Sequence, residues 1–305
     1  MDTQVTHFAT PLPSLGVLSC TGDDARGFLH AQLTSDIAQL SACQARLAGW
    51  CSAKGRLLAT MLVVPREGEF LLQLPRSLGP GVAKRLSMFI LRAKVKLADA
   101  SDAWRQHGVW GPGAREQLAA AGLPVPHGEL AIVQAKDCVV VEVAAQRYLV
   151  ISSPDADARL AALSGETREE TWLLEEIRAG RPQVLPATQE QFVPQMVNLE
   201  RLGGVDFHKG CYPGQEVVAR TQYRGVLKRR MVRARVDAPA SAGEELFADE
   251  APGQASGNVV NAASAPEGHT ELLAVVQISA LESGQPVRLR AADGPALELL
   301  ALPYA

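Results

Sequence analysis

Residues 191–216 read QFVPQMVNLERLGGVDFHKGCYPGQE, and this run decides how the whole chain is interpreted. With the residues up to 225 it holds five glycines, which allow positive φ angles and a close approach of the backbone to a ligand. Cys211 follows Lys209 by two residues and His208 by three. Because neighbouring cations favour the thiolate over the thiol, the run indicates a nucleophilic or soft-metal-binding sulfur at Cys211.

The remaining four cysteines lie beside apolar, strand-like residues, so we interpret them as small buried side chains: Cys20, Cys43, Cys51 and Cys138. The total of five is odd, and the cysteines are scattered without a CxxC pair. This pattern predicts neither a disulfide framework nor a zinc site, and no metal-binding residues are assigned.

A basic stretch follows the cysteine. Residues 201–235 hold nine Lys and Arg against two Asp and Glu, whereas residues 237–305 hold two against ten. Arginine pairs bidentately with carboxylate or phosphate, so this stretch predicts an anion-binding surface. For Arg229–Arg235 the alternative is a solvated strand that complements the acidic C-terminal residues. Aromatic residues are sparse here, so binding of single-stranded nucleic acid has little support.

The chain upstream of this region alternates strands and helices. Two successive β-α-β-β-α-type units, over about residues 1–100 and 101–228, predict an α+β body with two ferredoxin-like-type subdomains. One of its helices is predicted over Gly79–Leu91, where Val82, Leu86, Phe89 and Ile90 share a face. From residue 229 to 305 short strands separated by turns predict a small β-barrel domain.

Composition excludes several protein classes. The chain has 305 residues, of which 47% are hydrophobic and 21% charged, and its formal net charge is −3. This length predicts about two domains. No apolar run approaches the roughly 20 residues of a membrane span, and the start MDTQVTHFATPLPSL has no signal-peptide pattern. We therefore expect a cytoplasmic protein that does not contact a membrane.

The run at 191–216 resembles the signature of the YgfZ folate-binding proteins, which are related to glycine-cleavage aminomethyltransferase (GcvT) and include a mitochondrial iron–sulfur assembly branch. The core of the resemblance is Lys209-Gly210-Cys211-Tyr212 with Gln215-Glu216 and Arg220. Supporting matches are spread over most of the first 235 residues: Phe28-Leu29, Gln32-Leu33-Thr34, Asp36, Ala53-Lys54-Gly55-Arg56, Ala179-Gly180 and Pro182.

This resemblance implies two ferredoxin-like-type subdomains and a C-terminal β-barrel around a central cavity that holds tetrahydrofolate. It also implies an accessory role in making or maintaining iron–sulfur clusters, with an indirect effect on cluster-dependent tRNA-modifying enzymes. Its expected partners are folate and iron–sulfur client enzymes. The folate form, the client enzyme and the oligomeric state are not specified by the sequence.

The family's functional residues can be carried over by position. The thiol site comprises Cys211, Lys209, Gln215 and Glu216. We expect the pterin near Trp172 and the segment Phe192–Asn198, with Gln195 and Asn198 at its polar edge and Arg220 and Arg224 on the glutamyl tail. Because a stable cluster typically takes about four thiolates, any cluster contact of Cys211 is expected to be transient, or shared with a partner or a second subunit.

Three positions depart from the family pattern. Ala59 and Thr60 replace the acidic pair of the aminomethyltransferases, so proton transfer at the folate has no carboxylate there and the glycine-cleavage reaction is not expected. Arg178 replaces a glutamate that could bind the pterin, with Glu175 or Glu176 as substitutes. Leu15 aligns with a folate-associated tryptophan. Two alternatives remain: a tetrahydrofolate-dependent one-carbon transferase, and a tRNA- or RNA-enzyme-binding module that uses residues 220–235.

Overall fold

The computed structural model describes residues 8–163, 167–248 and 253–304. Residues 1–7, which open the segment searched for a signal peptide, lie outside that range. The strands in chain order are β1 Phe8–Pro11, β2 Leu15–Thr21, β3 Arg46–Cys51, β4 Leu57–Arg66, β5 Glu69–Pro75, β6 Lys96–Asp99, β7 Arg105–Trp110, β8 Ile132–Gln134, β9 Cys138–Ala144, β10 Arg147–Ser152, β11 Arg229–Val236, β12 Glu245–Phe247, β13 Gly257–Ser264, β14 Thr270–Gln277, β15 Arg288–Leu289 and β16 Glu298–Leu300. The helices are α1 Ala25–Gln32, α2 Gly79–Ser87, α3 Ala114–Ala120, α4 Asp157–Ala161, α5 Glu169–Arg178, α6 Gln215–Tyr223 and α7 Ile278–Glu282.

The chain divides into two compact units. The first unit comprises residues 1–30, 36–47 and 61–169, and the second comprises residues 31–35, 48–60 and 170–305. Both therefore draw on non-consecutive segments, and the boundary falls inside β3 and β4. The separation of a body at 1–228 from a barrel at 229–305 remains a prediction, although β11 begins at Arg229.

The first unit contains an antiparallel sheet in the order β1-β7-β10-β9-β8. Val109, Tyr148 and Val150 point to one face of this sheet and pack with Leu118 of α3 and Leu160 of α4. The central strands β9 and β10 are buried almost throughout, and each contains a run of four apolar residues, Cys138–Val141 and Tyr148–Ile151. A second antiparallel ladder in the same unit joins β4 to β5, β5 to β2 and β2 to β6.

The predicted helix over Gly79–Leu91 is too long. The helix α2 ends at Ser87, after Val82 and Leu86 have been buried, and the chain then continues in tight turns. Phe89 is 45% exposed and Leu91 is 88% exposed. The apolar spacing therefore continues beyond the end of the helix. The prediction that Phe89 and Ile90 share a helical face with Val82 and Leu86 was wrong, because both residues follow Ser87.

The second unit contains a six-stranded antiparallel sheet in the order β15-β12-β13-β14-β11-β16. Its core is formed by alternate residues of these strands, among them Ala234, Val259, Leu272 and Leu289. This sheet supplies the β-rich C-terminal region that the turn-separated short strands predicted.

The arginines of β11 are paired inside the chain. Arg230 contacts Glu200, Arg233 contacts Glu271, and Arg235 contacts Glu298. Glu271 is only 3% exposed and also accepts two hydrogen bonds from Arg178 of α5. Three of the four arginines of β11 thus have acidic partners within the second unit, and two of these partners, Glu271 and Glu298, belong to the acidic residues 237–305. Because Glu271 is buried, the alternative of a solvated strand face fits Arg235 but not Arg233.

Candidate functional site

The loop that carries Cys211 is held by Thr34 in the second unit. The Thr34 hydroxyl donates to the carbonyl of Gly204 (2.6 Å) and accepts from the amide of Gly49 (2.7 Å). The amide of Asp206 donates to the Thr34 carbonyl (2.9 Å). The residues 32–34 and 203–206, which are far apart in sequence, therefore form one hydrogen-bonded base for the loop.

Lys209 is an internal anchor of this loop. Its side chain is 8% exposed, and its Nζ donates to the Leu33 carbonyl (2.8 Å). The same ammonium lies 4.7 Å from the centre of the Tyr212 ring, a cation–π contact. The Asp206 carboxylate accepts from the Lys209 amide (3.1 Å) and from the amide of His208 (2.7 Å). Lys209 thus fixes both sides of Cys211.

Gly214 closes the loop and begins α6. Its φ is +78°, and a Cβ at this position would lie 2.4 Å from the Ser52 carbonyl oxygen and 2.6 Å from Gly55. Gly55 has a φ of +68°, and its own Cβ would meet Val217 at 2.9 Å. The turn at 52–56 and the turn at 214 therefore touch backbone to backbone, which only glycine permits.

Cys211 is exposed between these anchors. Cys20, Cys51 and Cys138 are buried as expected, and burial raises the pKa of Cys20 and of Cys51 to about 12. The prediction that Cys43 is buried was wrong, because it lies on an exposed turn where its sulfur is 3.0 Å from the Ser41 hydroxyl. Two thiols therefore face solvent, and only Cys211 lies on the constrained loop.

The helix α6 presents the remaining motif residues. Gln215 donates from Nε2 to the Lys209 carbonyl (3.4 Å), whereas Glu216 is exposed in the first turn. Arg220 and Arg224 are exposed and form no ion pair with any residue that the structure describes. Both guanidinium groups are therefore free to bind an anion.

The residues expected to contact the pterin differ in what they offer. Gln195 lies in a 3-10 helix at Pro194–Val197. Its Nε2 donates to the Val218 carbonyl (2.7 Å). Its buried Oε1 has no hydrogen-bond partner among the described residues. Asn198 uses both amide atoms internally, with the Met231 carbonyl (3.1 Å) and Arg230 (2.6 Å). Phe192 and Trp172 are 3% and 2% exposed.

At three positions that depart from the family pattern, the side chains are packed or bonded within the protein. The Thr60 hydroxyl donates to the Pro182 carbonyl (3.1 Å) and accepts from the Val184 amide (3.0 Å), and Ala59 is fully buried. Arg178 is bound to Glu271 and to Glu175. None of these side chains supplies an unpaired carboxylate.

Two residues that build the site were missed as functional candidates, Thr34 and Asp206. Thr34 was noted only as a match to the family, although a threonine followed by Ser35 inside an apolar context signals a buried hydrogen-bonding hydroxyl. Asp206, two residues before His208, has the spacing of an Asx-type turn. Across the described ranges no group of three or more His, Cys, Asp or Glu is arranged to hold a metal ion, and no helix is long and apolar enough to cross a membrane.

Comparison with known proteins places this architecture. No family model matches the chain. The crystal structure of glycine cleavage system aminomethyltransferase T from Bartonella henselae superposes with a TM-score of 0.76, covering 99% of this chain and 87% of that one, at 17% identity. The predicted α+β, GcvT-like fold is therefore confirmed.

Comparison with sequence relatives identifies the family. The tRNA-modifying protein YgfZ of Klebsiella pneumoniae (strain 342) is 32% identical over 302 residues, covering 96% of this chain and 91% of the relative. The YgfZ protein of Edwardsiella ictaluri (strain 93-146) is 33% identical over 298 residues, covering 94% and 89%. With this identity along nearly its full length, and with the Lys209–Tyr212 loop in place, the chain belongs to the YgfZ family of tRNA-modifying proteins.

Proposed function

We propose that this protein is a tetrahydrofolate-binding accessory factor that supports iron–sulfur enzymes acting on tRNA in the cytoplasm. The observation that carries the proposal is the exposed Cys211 on a loop that the Lys209 ammonium and the Thr34 hydroxyl hold in place. A thiol that is exposed but constrained is suited to brief contact with a cluster or a sulfur species bound to a partner. The tRNA role is taken from the names of the relatives.

The second unit contains groups that fit parts of a folate. The unpaired Oε1 of Gln195 can accept from an N–H on the pterin edge, while the free guanidinium groups of Arg220 and Arg224 fit the glutamyl carboxylates. Asn198 offers a pterin less than Gln195 does, because each of its amide atoms already has a hydrogen bond within the protein. Phe192 and Trp172 contribute only buried aromatic surface. Tetrahydrofolate, when bound, supplies a carrier for one-carbon units.

Glycine cleavage is not part of this proposal. Methylene transfer at folate needs a group that handles protons, and the hydroxyl of Thr60 is bonded to Pro182 and Val184. The ion pairs of Arg230, Arg233 and Arg235 also neutralise three of the four arginines of β11, which weakens the case for that strand as an RNA-binding surface. An accessory role therefore agrees better with these residues than either alternative.

Complementation tests the role of the thiol. In a strain without the gene, Cys211→Ala is expected to restore less than a tenth of a cluster-dependent tRNA thiolation activity, whereas Cys43→Ala should restore it fully. Because both thiols are exposed, comparing the two variants shows whether the position of Cys211, and not solvent exposure of a thiol, is what matters. Modified nucleosides are quantified by mass spectrometry of digested tRNA, with protein levels checked by immunoblot. Equal rescue by the two variants would refute the proposal.

Folate binding is tested separately on the purified protein. Arg220→Gln with Arg224→Gln is expected to weaken binding of 5-formyltetrahydrofolate triglutamate at least about tenfold, since charge-assisted bonds contribute about 1.5–3 kcal/mol each. Lys228→Gln removes another exposed cation and is the matched control, with little change expected. Intrinsic fluorescence reports binding, and Trp172→Phe should remove most of the quenching while Trp104→Phe should not. Unchanged affinity in the double variant would exclude the arginines as folate contacts.

A further inference from the structure

The structure contains a cavity of about 530 Å³, and the described residues that line it all belong to the first unit. One wall is formed by the start of β7, and another by α4 with the residues that follow it. Binding sites for small molecules commonly occupy about 300–1,000 Å³, so the cavity has the capacity for a ligand of nucleotide size. None of the residues of the Cys211 site lines it.

Gln106 lines this cavity and has an unusual environment. The side chain is 4% exposed, yet neither its Nε2 nor its Oε1 has a hydrogen-bond partner among the described residues. Buried amides are normally bonded, and leaving both atoms unpaired destabilises a fold. Both amide atoms are shielded from solvent, so the side chain must rotate to present them to a ligand in the cavity; because neither atom has a partner among the described residues, this rotation breaks no hydrogen bond. Gln106 therefore offers an adjacent donor and acceptor.

Its neighbour His107 adds a second polar atom. The Nδ1 of His107 is buried without a partner in the described part of the chain, and the residue also lines the cavity. Burial lowers the pKa of His107, with Asp157 and Arg105 acting on it in opposite directions. The ring is consequently neutral near pH 7 and carries one donor and one acceptor nitrogen. Because consecutive residues of a strand point to opposite faces, the His107 ring lies on the face of β7 opposite to the Gln106 side chain and adds a neutral polar group there.

The apolar part of the lining suits a flat ring. Trp104 lines the cavity together with Leu12, Leu15 and Leu160. The guanidinium of Arg66, which does not line the cavity, lies 4.5 Å from the centre of the Trp104 indole. A large aromatic surface held by an outside cation provides a stacking surface for a heteroaromatic ring.

The lining also includes two half-exposed arginines and the acidic residue Asp157. Arg76 pairs with Asp102 (2.5 Å) and Arg105 pairs with Asp157 (2.5 Å). Asp102 is 95% exposed and Asp157 46% exposed, so these are surface ion pairs that contribute little. A ligand phosphate, which accepts several charge-assisted bonds, competes well for such arginines.

We propose that this cavity binds a nucleoside monophosphate whose base has a lactam edge, as uracil and guanine have. The adjacent N–H and C=O of a lactam match the acceptor and donor of Gln106. The base stacks in the apolar part of the cavity near Trp104, and the phosphate pairs with Arg76 and Arg105. This site is independent of the folate proposed above.

Calorimetric titration with defined probes tests the proposal. Uridine or guanosine 5′-monophosphate should bind with a dissociation constant below 1 mM in the presence of saturating 5-formyltetrahydrofolate. Blocking the lactam N–H, in 3-methyluridine 5′-monophosphate, should weaken binding at least tenfold, and so should omitting the phosphate, in uridine. Inorganic phosphate alone should bind at least tenfold more weakly. No binding of either nucleotide, or equal binding of the methylated probe, would overturn the proposal.

Gln106→Met separates a binding role from a structural one. The methionine keeps the volume and removes the two unpaired polar atoms, so the melting temperature is expected to stay the same or to rise, while nucleotide affinity falls at least tenfold. A structural glutamine would instead lower the melting temperature when replaced. Arg105→Gln should weaken the nucleotide but leave the affinity for uridine unchanged. Unaltered nucleotide affinity in Gln106→Met would refute the assignment.

Discussion

Glu271→Gln is expected to lower the free energy of unfolding by about 3 kcal/mol, the lower end of what removing one partner of a buried ion pair costs. Glu271 is 3% exposed, and each of its carboxylate oxygens accepts two hydrogen bonds from one guanidinium. One guanidinium belongs to Arg178 of α5 and the other to Arg233 of β11. The neutral amide would leave Arg233 without an acidic partner among the described residues, and Arg178 with Glu175 as its remaining counter-charge. Urea unfolding followed by circular dichroism measures the loss.

Glu298→Gln is the matched control for this prediction. Glu298 pairs with Arg235, which lies on β11 like Arg233. The Glu298 side chain, however, is 58% exposed. Exposed pairs contribute about 0–1 kcal/mol, so the control should change stability by less than 1 kcal/mol. If the two variants unfolded at the same urea concentration, the Arg178–Glu271–Arg233 cluster would not be a stabilising feature of the second unit.

The effect of Glu271 should also depend on pH. Burial alone would raise the pKa of Glu271, but the hydrogen bonds and charges of Arg178 and Arg233 outweigh it, so the pKa lies below its usual value. A carboxyl with a lowered native pKa contributes its stability above the ordinary pKa of glutamate, about 4.3, and loses it as pH falls through the native pKa. The stability difference between the wild type and Glu271→Gln should therefore be largest near neutrality and shrink below about pH 4.

Much of the fold was predictable because the apolar pattern follows the strands. Buried runs such as Cys138–Val143 and alternating runs such as Met231–Val236 correspond to β9 and β11. The motif around Cys211 was predictable for another reason, since glycines at sharp turns and a lysine beside a cysteine mark a constrained loop in any fold. The sequence therefore indicated which loop is special and which sulfur it presents.

The functions of individual side chains depended on contacts that no local pattern contains. Lys209 has the sequence position of a residue that activates a thiol, but its ammonium is bound to the Leu33 carbonyl, 176 residues away. Cys43 resembled a buried residue because its neighbours are small, yet it lies on an exposed turn. Asn198 looked available to a ligand, but β11 supplies a partner for each of its amide atoms. Long-range pairing decided each of these outcomes.

Gly214→Ala should be the most damaging single-atom change in the Cys211 loop. Alanine at a positive φ costs about 1–2 kcal/mol, and here its methyl would also lie 2.4 Å from the Ser52 carbonyl oxygen and 2.6 Å from Gly55. Those are backbone atoms, so relief requires the turn at 52–56 to move away from α6, at a further cost of about 1–3 kcal/mol. We expect a total loss of about 3 kcal/mol in unfolding free energy and a changed rate of Cys211 alkylation by iodoacetamide.

Gly203→Ala is the control that separates the steric clash at Gly214 from the free-energy cost of a positive φ angle. Gly203 has a φ of +71°, but a Cβ there meets nothing within 4 Å. The control should therefore lose only about 1 kcal/mol and leave the alkylation rate of Cys211 unchanged, because the loop keeps its contact with residues 52–56. Similar losses in both variants would mean that the contact between the two turns does not hold the loop. In that case the position of Cys211 would depend on Lys209 and Thr34 alone.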